Sequence, residues 1–161
     1  MTETHVARCH CGQVTVTCSG DPYPVFMCNC TLCQRRTGSP IHIGAWWPMA
    51  DVTIEGETRE FTRTTGEQGM AATFNFCPAC GTSIWWGGQT EGDGPLVGYY
   101  GIAGGCFADP DFPIPTHSLY ERSKHRWVDS PEETVCFEAS FDNPDVLTEI
   151  VQTLEERAAA R

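Results

Sequence analysis

Positive charge is scarce in this chain: 10 Lys and Arg stand against 21 Asp and Glu, a formal net charge of −11 over 161 residues. A nucleic-acid partner requires clustered phosphate-neutralising side chains, and the few basic residues never form a long run. An anionic membrane surface is disfavoured on the same ground. A small ligand with one or two carboxylates is not excluded, because a few local Arg or Lys suffice to hold it. Long apolar runs are also missing. No segment approaches the length of a membrane span, and residues 1–8 lack the apolar stretch of a signal peptide. The expectation is a cytoplasmic protein with neither nucleic-acid nor membrane partners.

Cysteine, by contrast, is abundant. Ten of them in a secreted chain would suggest disulfides, but in a reducing compartment the same density points to metal binding or thiol chemistry. The length suits a single domain spanning residues 1–161 with a real core. With 16 Gly and 11 Pro the chain must turn often, which favours a mainly β fold of short strands.

Residues 13–18 alternate polar and apolar side chains and read as a half-buried strand, turned by Gly20-Asp21-Pro22. Residues 23–28 read as a second strand returning antiparallel to the first, with Cys28 at its end. The polar segment 31–38, ending in glycine, reads as a short turn or helical loop. Further strands are expected at residues 41–47, 51–55, 59–64, 71–76, 82–86, 96–102 and 134–141, with an extended loop over 104–115. Asn143-Pro144 then caps a helix over 143–161, along which Val146, Leu147, Ile150, Val151 and Leu154 recur at helical spacing. Such a stripe packs on a sheet or serves a homodimer contact.

Seven cysteines fall into three clusters. In Cys9-His10-Cys11-Gly12, residues two apart on an extended backbone face the same way, so both sulfurs can converge on one ion, with His10 as spacer. Cys77-Pro-Ala-Cys80-Gly81 is a zinc-knuckle spacing, in which the glycine permits a positive φ after the turn. Together the two pairs complete the tetrahedral four-sulfur shell of a structural zinc, leaving no position for substrate. Cys28-Asn-Cys30-Thr-Leu-Cys33 lets three thiolates grip a second zinc from one side, the arrangement of a catalytic site with an open position. The alternative is a second structural site, completed by His42, His117 or a further cysteine. Three thiolates make zinc a weak Lewis acid for water but a good acceptor of another sulfur, which points to a thiol substrate.

These motifs, from Cys9 to about Trp127, resemble the glutathione-dependent formaldehyde-activating enzyme family, which includes centromere protein V-like relatives. The resemblance implies a β-tent fold with two zinc ions per chain, a structural one at Cys9, Cys11, Cys77 and Cys80 and a catalytic one at Cys28, Cys30 and Cys33. It also implies a carbon–sulfur lyase that joins glutathione and formaldehyde, a thiol and an aldehyde, into S-(hydroxymethyl)glutathione. Two other readings stay open: a non-catalytic carrier of glutathione or its adduct, and a zinc-scaffolded interaction module.

Around the triplet, Arg35 and Arg36 are candidates to hold a glutathione carboxylate, with Arg122 and Lys124 as later ones; surface solvation is their plainer use. His117 is a candidate proton donor or a hydrogen-bonded structural histidine. In Trp46-Trp47 and Trp85-Trp86 one partner of each pair should face the core and the other a cleft. Cys18, Cys106 and Cys136 read as small buried hydrophobes.

Overall fold

The computed structural model describes residues 3–64, 71–91, 96–140 and 144–159. Strands β1 (Thr4–Arg8), β2 (Thr15–Ser19) and β3 (Val25–Cys28) precede helix α1 (Thr31–Thr37). There follow β4 (His42–Pro48), β5 (Val52–Glu55), β6 (Arg59–Arg63) and β7 (Ala72–Phe76). After them come β8 (Ser83–Gly87), β9 (Tyr99–Ala103), β10 (His117–Leu119), β11 (Val135–Cys136) and helix α2 (Pro144–Ala159).

The strands form two sheets. A three-stranded sheet runs β1-β2-β5, and an eight-stranded sheet runs β11-β10-β3-β4-β9-β8-β7-β6. Between them lies one core, in which Ala7, Val14, Val16 and Cys18 meet Ala45, Trp47, Ile84 and Ile102. Trp47 is fully buried there, and its Nε1 donates to the Gly20 carbonyl at 2.7 Å, satisfying the one polar atom such a ring brings inside. The mainly β expectation holds. On the other face of the large sheet, Ile150 and Leu154 of α2 pack with Phe26 and Leu119, so this stripe serves the sheet. The side chains of Val146 and Leu147, and Asn143, lie outside the described residues.

Two expectations are corrected. Residues 13–18 and 23–28 do not pair: β2 joins β1 and β5, while β3 lies between antiparallel β4 and parallel β10. The reason is legible in the side chains, since Val25, Phe26 and Met27 are all buried, the signature of an interior strand covered on both faces. β1, for which the sequence offered no strand signal, alternates strictly between exposed and buried residues, but the buried ones are His5 and Ala7, while Val6 faces outward. Of residues 134–141 only Val135–Cys136 is strand, parallel to β10, and its side chains are exposed. Thr134 is the buried neighbour, its hydroxyl donating to the Pro115 carbonyl at 2.7 Å; Phe141 lies outside the described residues.

The face opposite the main core carries a line of aromatic rings beside α1. Trp86 lies over Gly101, packed edge-on by Trp46 at 5.7 Å and flanked by Phe74 at 6.0 Å and His42 at 4.9 Å. A Cβ on Gly101 would stand 2.5 Å from the indole Cε2 and Nε1. The ring is held on three sides and has nowhere to go. Gly101→Ala is therefore expected to destabilise the protein by about 1–3 kcal/mol through overpacking, read as a lower denaturation midpoint at unchanged m-value.

Candidate metal centres and the adjoining cleft

Two tight turns from distant parts of the chain build the first cysteine group. Gly12 N donates to the Cys9 carbonyl at 3.0 Å, and Gly81 N to the Cys77 carbonyl at 2.8 Å. Gly12 and Gly81 have φ of +80° and +75°, the left-handed conformation that lets each turn close. His10 N donates to Thr82 Oγ1 at 3.1 Å and ties one turn to the other, leaving His10 as the spacer expected. The four sulfurs of Cys9, Cys11, Cys77 and Cys80 lie within 4.8 Å of one another. Cys9–Cys11 and Cys11–Cys77 sulfur distances are both 3.6 Å. A disulfide measures about 2.05 Å, whereas sulfurs about 2.3 Å from one tetrahedral ion stand about 3.8 Å apart. Val14 N also donates to Cys9 Sγ at 3.2 Å, favouring the ionised form. The donor set and spacing fit zinc.

The second group, Cys28, Cys30 and Cys33, also lies within 4.8 Å, and no other His, Cys, Asp or Glu among the described residues joins it. Cys28 ends β3, Cys30 caps α1 by accepting from Cys33 N at 3.3 Å, and Cys33 sits in the first turn. Buried Asn29 fastens the intervening loop to β10, donating from Nδ2 to Ser118 Oγ and the Leu119 carbonyl, both at 3.0 Å. Gln34 Nε2 completes the fastening with a 2.7 Å bond to the Asn29 carbonyl. Side-chain bonds from Asn29 and Gln34, with the Cys33 N bond to Cys30 Sγ, thus fix the segment that carries the three sulfurs.

Without a metal the triad shares its protons unevenly. Hydrogen bonds from Cys28 and Cys33 hold the Cys30 thiol well below the usual range, while Cys28, which donates to its neighbours, is pushed far up. Cys33 is raised as well. The raised Cys28 and Cys33 thiols must lose their protons on zinc uptake, so affinity is expected to rise with pH through the neutral range, against a flat dependence if the triad were already ionised. Calorimetric titration in buffers of differing ionisation enthalpy reads the proton count directly.

A cavity of about 410 Å³ is bordered by Arg36, His42, Gly81, Thr82, Ser83 and Cys106; it meets the neighbours of the triad, Arg36 and His42, and not its cysteines. It runs from α1 to the Cys80–Gly81 turn. Helical spacing puts Arg36 on the same side of α1 as Cys33, and its Nη1 donates to Ser83 Oγ at 2.9 Å. Arg35 is exposed on the other side. His42 pairs across the sheet with Cys28. Burial, aided by the Arg36 charge, pushes its pKa down to about 3, so the ring is neutral at physiological pH.

The remaining candidates scatter. His117 is 2% exposed, its Nδ1 2.7 Å from Thr116 Oγ1 and its ring against Phe26 and Phe137; burial lowers its pKa, and it does not belong to the triad's donor group. Lys124 is engaged by Glu121 and Ser130, and Arg122 lies over the Tyr120 ring. Trp47 faces the core and Trp46 the aromatic line; Trp86 faces that line too, while Trp85 stands against Tyr100. Cys18 is buried, and its thiol is pushed up to about 12 by burial. Cys106 is partly buried against the core, but Cys136 is exposed, contrary to expectation. His42 as a cleft residue and Arg63, described below, were not singled out by the sequence, because strand register and helix phase, not local composition, bring them here.

Among curated proteins none matches the chain. A family profile described as glutathione-dependent formaldehyde-activating enzyme matches residues 4–123, a span that contains both cysteine groups, α1 and the cleft. The chain belongs to the glutathione-dependent formaldehyde-activating enzyme family.

Proposed function

We propose that the chain is a zinc-dependent carbon–sulfur lyase that reversibly joins glutathione, or a similar thiol, to formaldehyde or another small aldehyde. The observation that carries this reading is the pair of unequal cysteine groups: four sulfurs that complete a shell, and three that no further His, Cys, Asp or Glu among the described residues joins, with Arg36 and His42 between them and a cavity. Two zinc ions per chain follow, a structural one at Cys9, Cys11, Cys77 and Cys80, and a catalytic one at Cys28, Cys30 and Cys33.

When bound at the triad, zinc supplies a soft open position that favours the ionised form of an incoming thiol. The chain's own residues do the rest. Asn29 and Gln34 fix the loop that carries the three cysteines that would hold zinc. Arg36 offsets the negative charge of the thiolates, while neutral His42 adds none. The aromatic line of Phe74 and Trp86 limits water at that edge. Addition forms one carbon–sulfur bond between the substrate sulfur and the aldehyde carbon; the proton lost by the thiol is returned to the former carbonyl oxygen. His42, which borders the cavity, is better placed than His117, which is packed among rings, to take part in that transfer as a neutral hydrogen-bonding ring. A cytoplasmic setting, where glutathione is abundant, suits this use.

Exchange NMR on mixtures of glutathione and formaldehyde tests the reading. The two-zinc protein should speed interconversion of free and hydroxymethylated glutathione above the buffer rate. Binding of glutathione with an unaltered exchange rate would instead support the carrier.

A further inference from the structure

Two arginines share one ring next to the triad. The Arg36 guanidinium stands 4.1 Å over Phe74 and 5.8 Å from Trp86, and that of Arg63 stands 5.6 Å from Phe74. They come from different elements, α1 and the strand β6. Two like charges set around one ring repel each other. In a chain with 21 carboxylates, neither guanidinium has a carboxylate partner among the described residues.

Several of their donors are unspent. Arg36 uses Nη1 on Ser83 and also faces the Cys33 sulfur, but its Nε and Nη2, and Nε of Arg63, are buried with no hydrogen-bonded acceptor. Unpaired buried donors cost free energy, the more so on a cation. Nε and Nη2 lie on one edge of a guanidinium and donate in parallel, the fork that matches the two oxygens of a carboxylate. Arg36 also borders the cavity and is one helical turn from Cys33.

We propose that Arg36 and Arg63 form a carboxylate subsite, which selects thiols that carry a carboxylate within reach of the three-cysteine centre. The proposal rests on the reading of that centre as the place where the substrate sulfur binds. It makes recognition two-pointed: sulfur at the triad and carboxylate at the arginines. Arg63 is the telling member, because Arg36 alone has a competing use in balancing the charge at Cys33, and that use is indifferent to carboxylates on the ligand.

The test is calorimetric binding to the zinc-loaded chain of three probes: glutathione, its diethyl ester and 2-mercaptoethanol. Wild-type protein should favour glutathione over the ester by about tenfold or more, the range for a paired charge-assisted fork. Arg63→Gln should weaken glutathione by about fivefold to tenfold and leave the ester and 2-mercaptoethanol unchanged; Arg36→Lys should narrow the same preference. Equal affinity of wild-type protein for glutathione and its ester, or an Arg63→Gln loss shared by all three probes, overturns the subsite while leaving the thiol-binding triad intact. Failure of all three thiols to bind overturns both.

Discussion

Cys77→Ser is expected to leave the protein unfolded. Cys77 is fully buried, and with Cys80 it joins the β7–β8 turn to the turn between β1 and β2, across 66 residues of sequence for the Cys11–Cys77 pair. Structural zinc in small peptides is worth about 10–16 kcal/mol at neutral pH, against a typical domain stability of about 5–15 kcal/mol. Losing one of four sulfurs from such a shell removes most of that contribution. The three-stranded sheet would then hold to the rest through the shared apolar core and a few hydrogen bonds such as Trp47 Nε1 to the Gly20 carbonyl. Thermal melting by circular dichroism should show no cooperative transition for the variant, and chelator treatment of the wild type should give the same result. A cooperative transition within a few degrees of the wild type would show that the four-sulfur group is not what holds the two sheets together.

Cys33→Ser should have the opposite profile, a folded protein without activity. The loop around the triad is held by Asn29, Gln34 and the backbone of β10, none of which needs the Cys33 sulfur. Serine fits the space of cysteine and can stay in the first turn of α1. The stability loss should be about 1–3 kcal/mol, while zinc content falls from two ions to one and accelerated thiol–aldehyde exchange disappears. The uncatalysed reaction of thiols with formaldehyde is facile, so the proposed acceleration is expected to be modest and the variant's rate to coincide with the buffer rate. A folded variant that has lost one zinc yet still accelerates exchange at the wild-type rate would remove the triad from catalysis.

The contrast between these two substitutions was readable in the sequence. Cys-x-Cys-Gly and Cys-x-x-Cys-Gly make turns with local requirements, and the structure brings their four sulfurs together. The same holds for Cys28, Cys30 and Cys33, which six consecutive residues suffice to gather. The cleft is different, because its residues meet through register. His42 faces Cys28 only because β3 and β4 pair as they do, and Arg63 reaches Phe74 only through the β6–β7 pairing of Phe61 with Phe74. Arg36 and Arg35 are indistinguishable by composition; the phase of a short helix, set by Cys33 facing inward, separates them. The failed hairpin of β2 and β3 has a similar cause, since alternation reports which face of a strand is buried but not which sheet it joins. His117 was conspicuous in the sequence as a titratable residue, yet three aromatic neighbours surround it.

The same logic links stability to chemistry. A complete four-sulfur shell has no room for a ligand, and an open three-sulfur shell does, so the fold can commit one metal to each task. Zinc-edge X-ray absorption of the purified protein, with metal content measured on the same sample, tests this division most directly. The account predicts two zinc ions per chain and a mean of about 3.5 sulfurs per zinc, rising to about 4 when glutathione is added. A single zinc per chain, or a sulfur count that glutathione leaves unchanged, would contradict it.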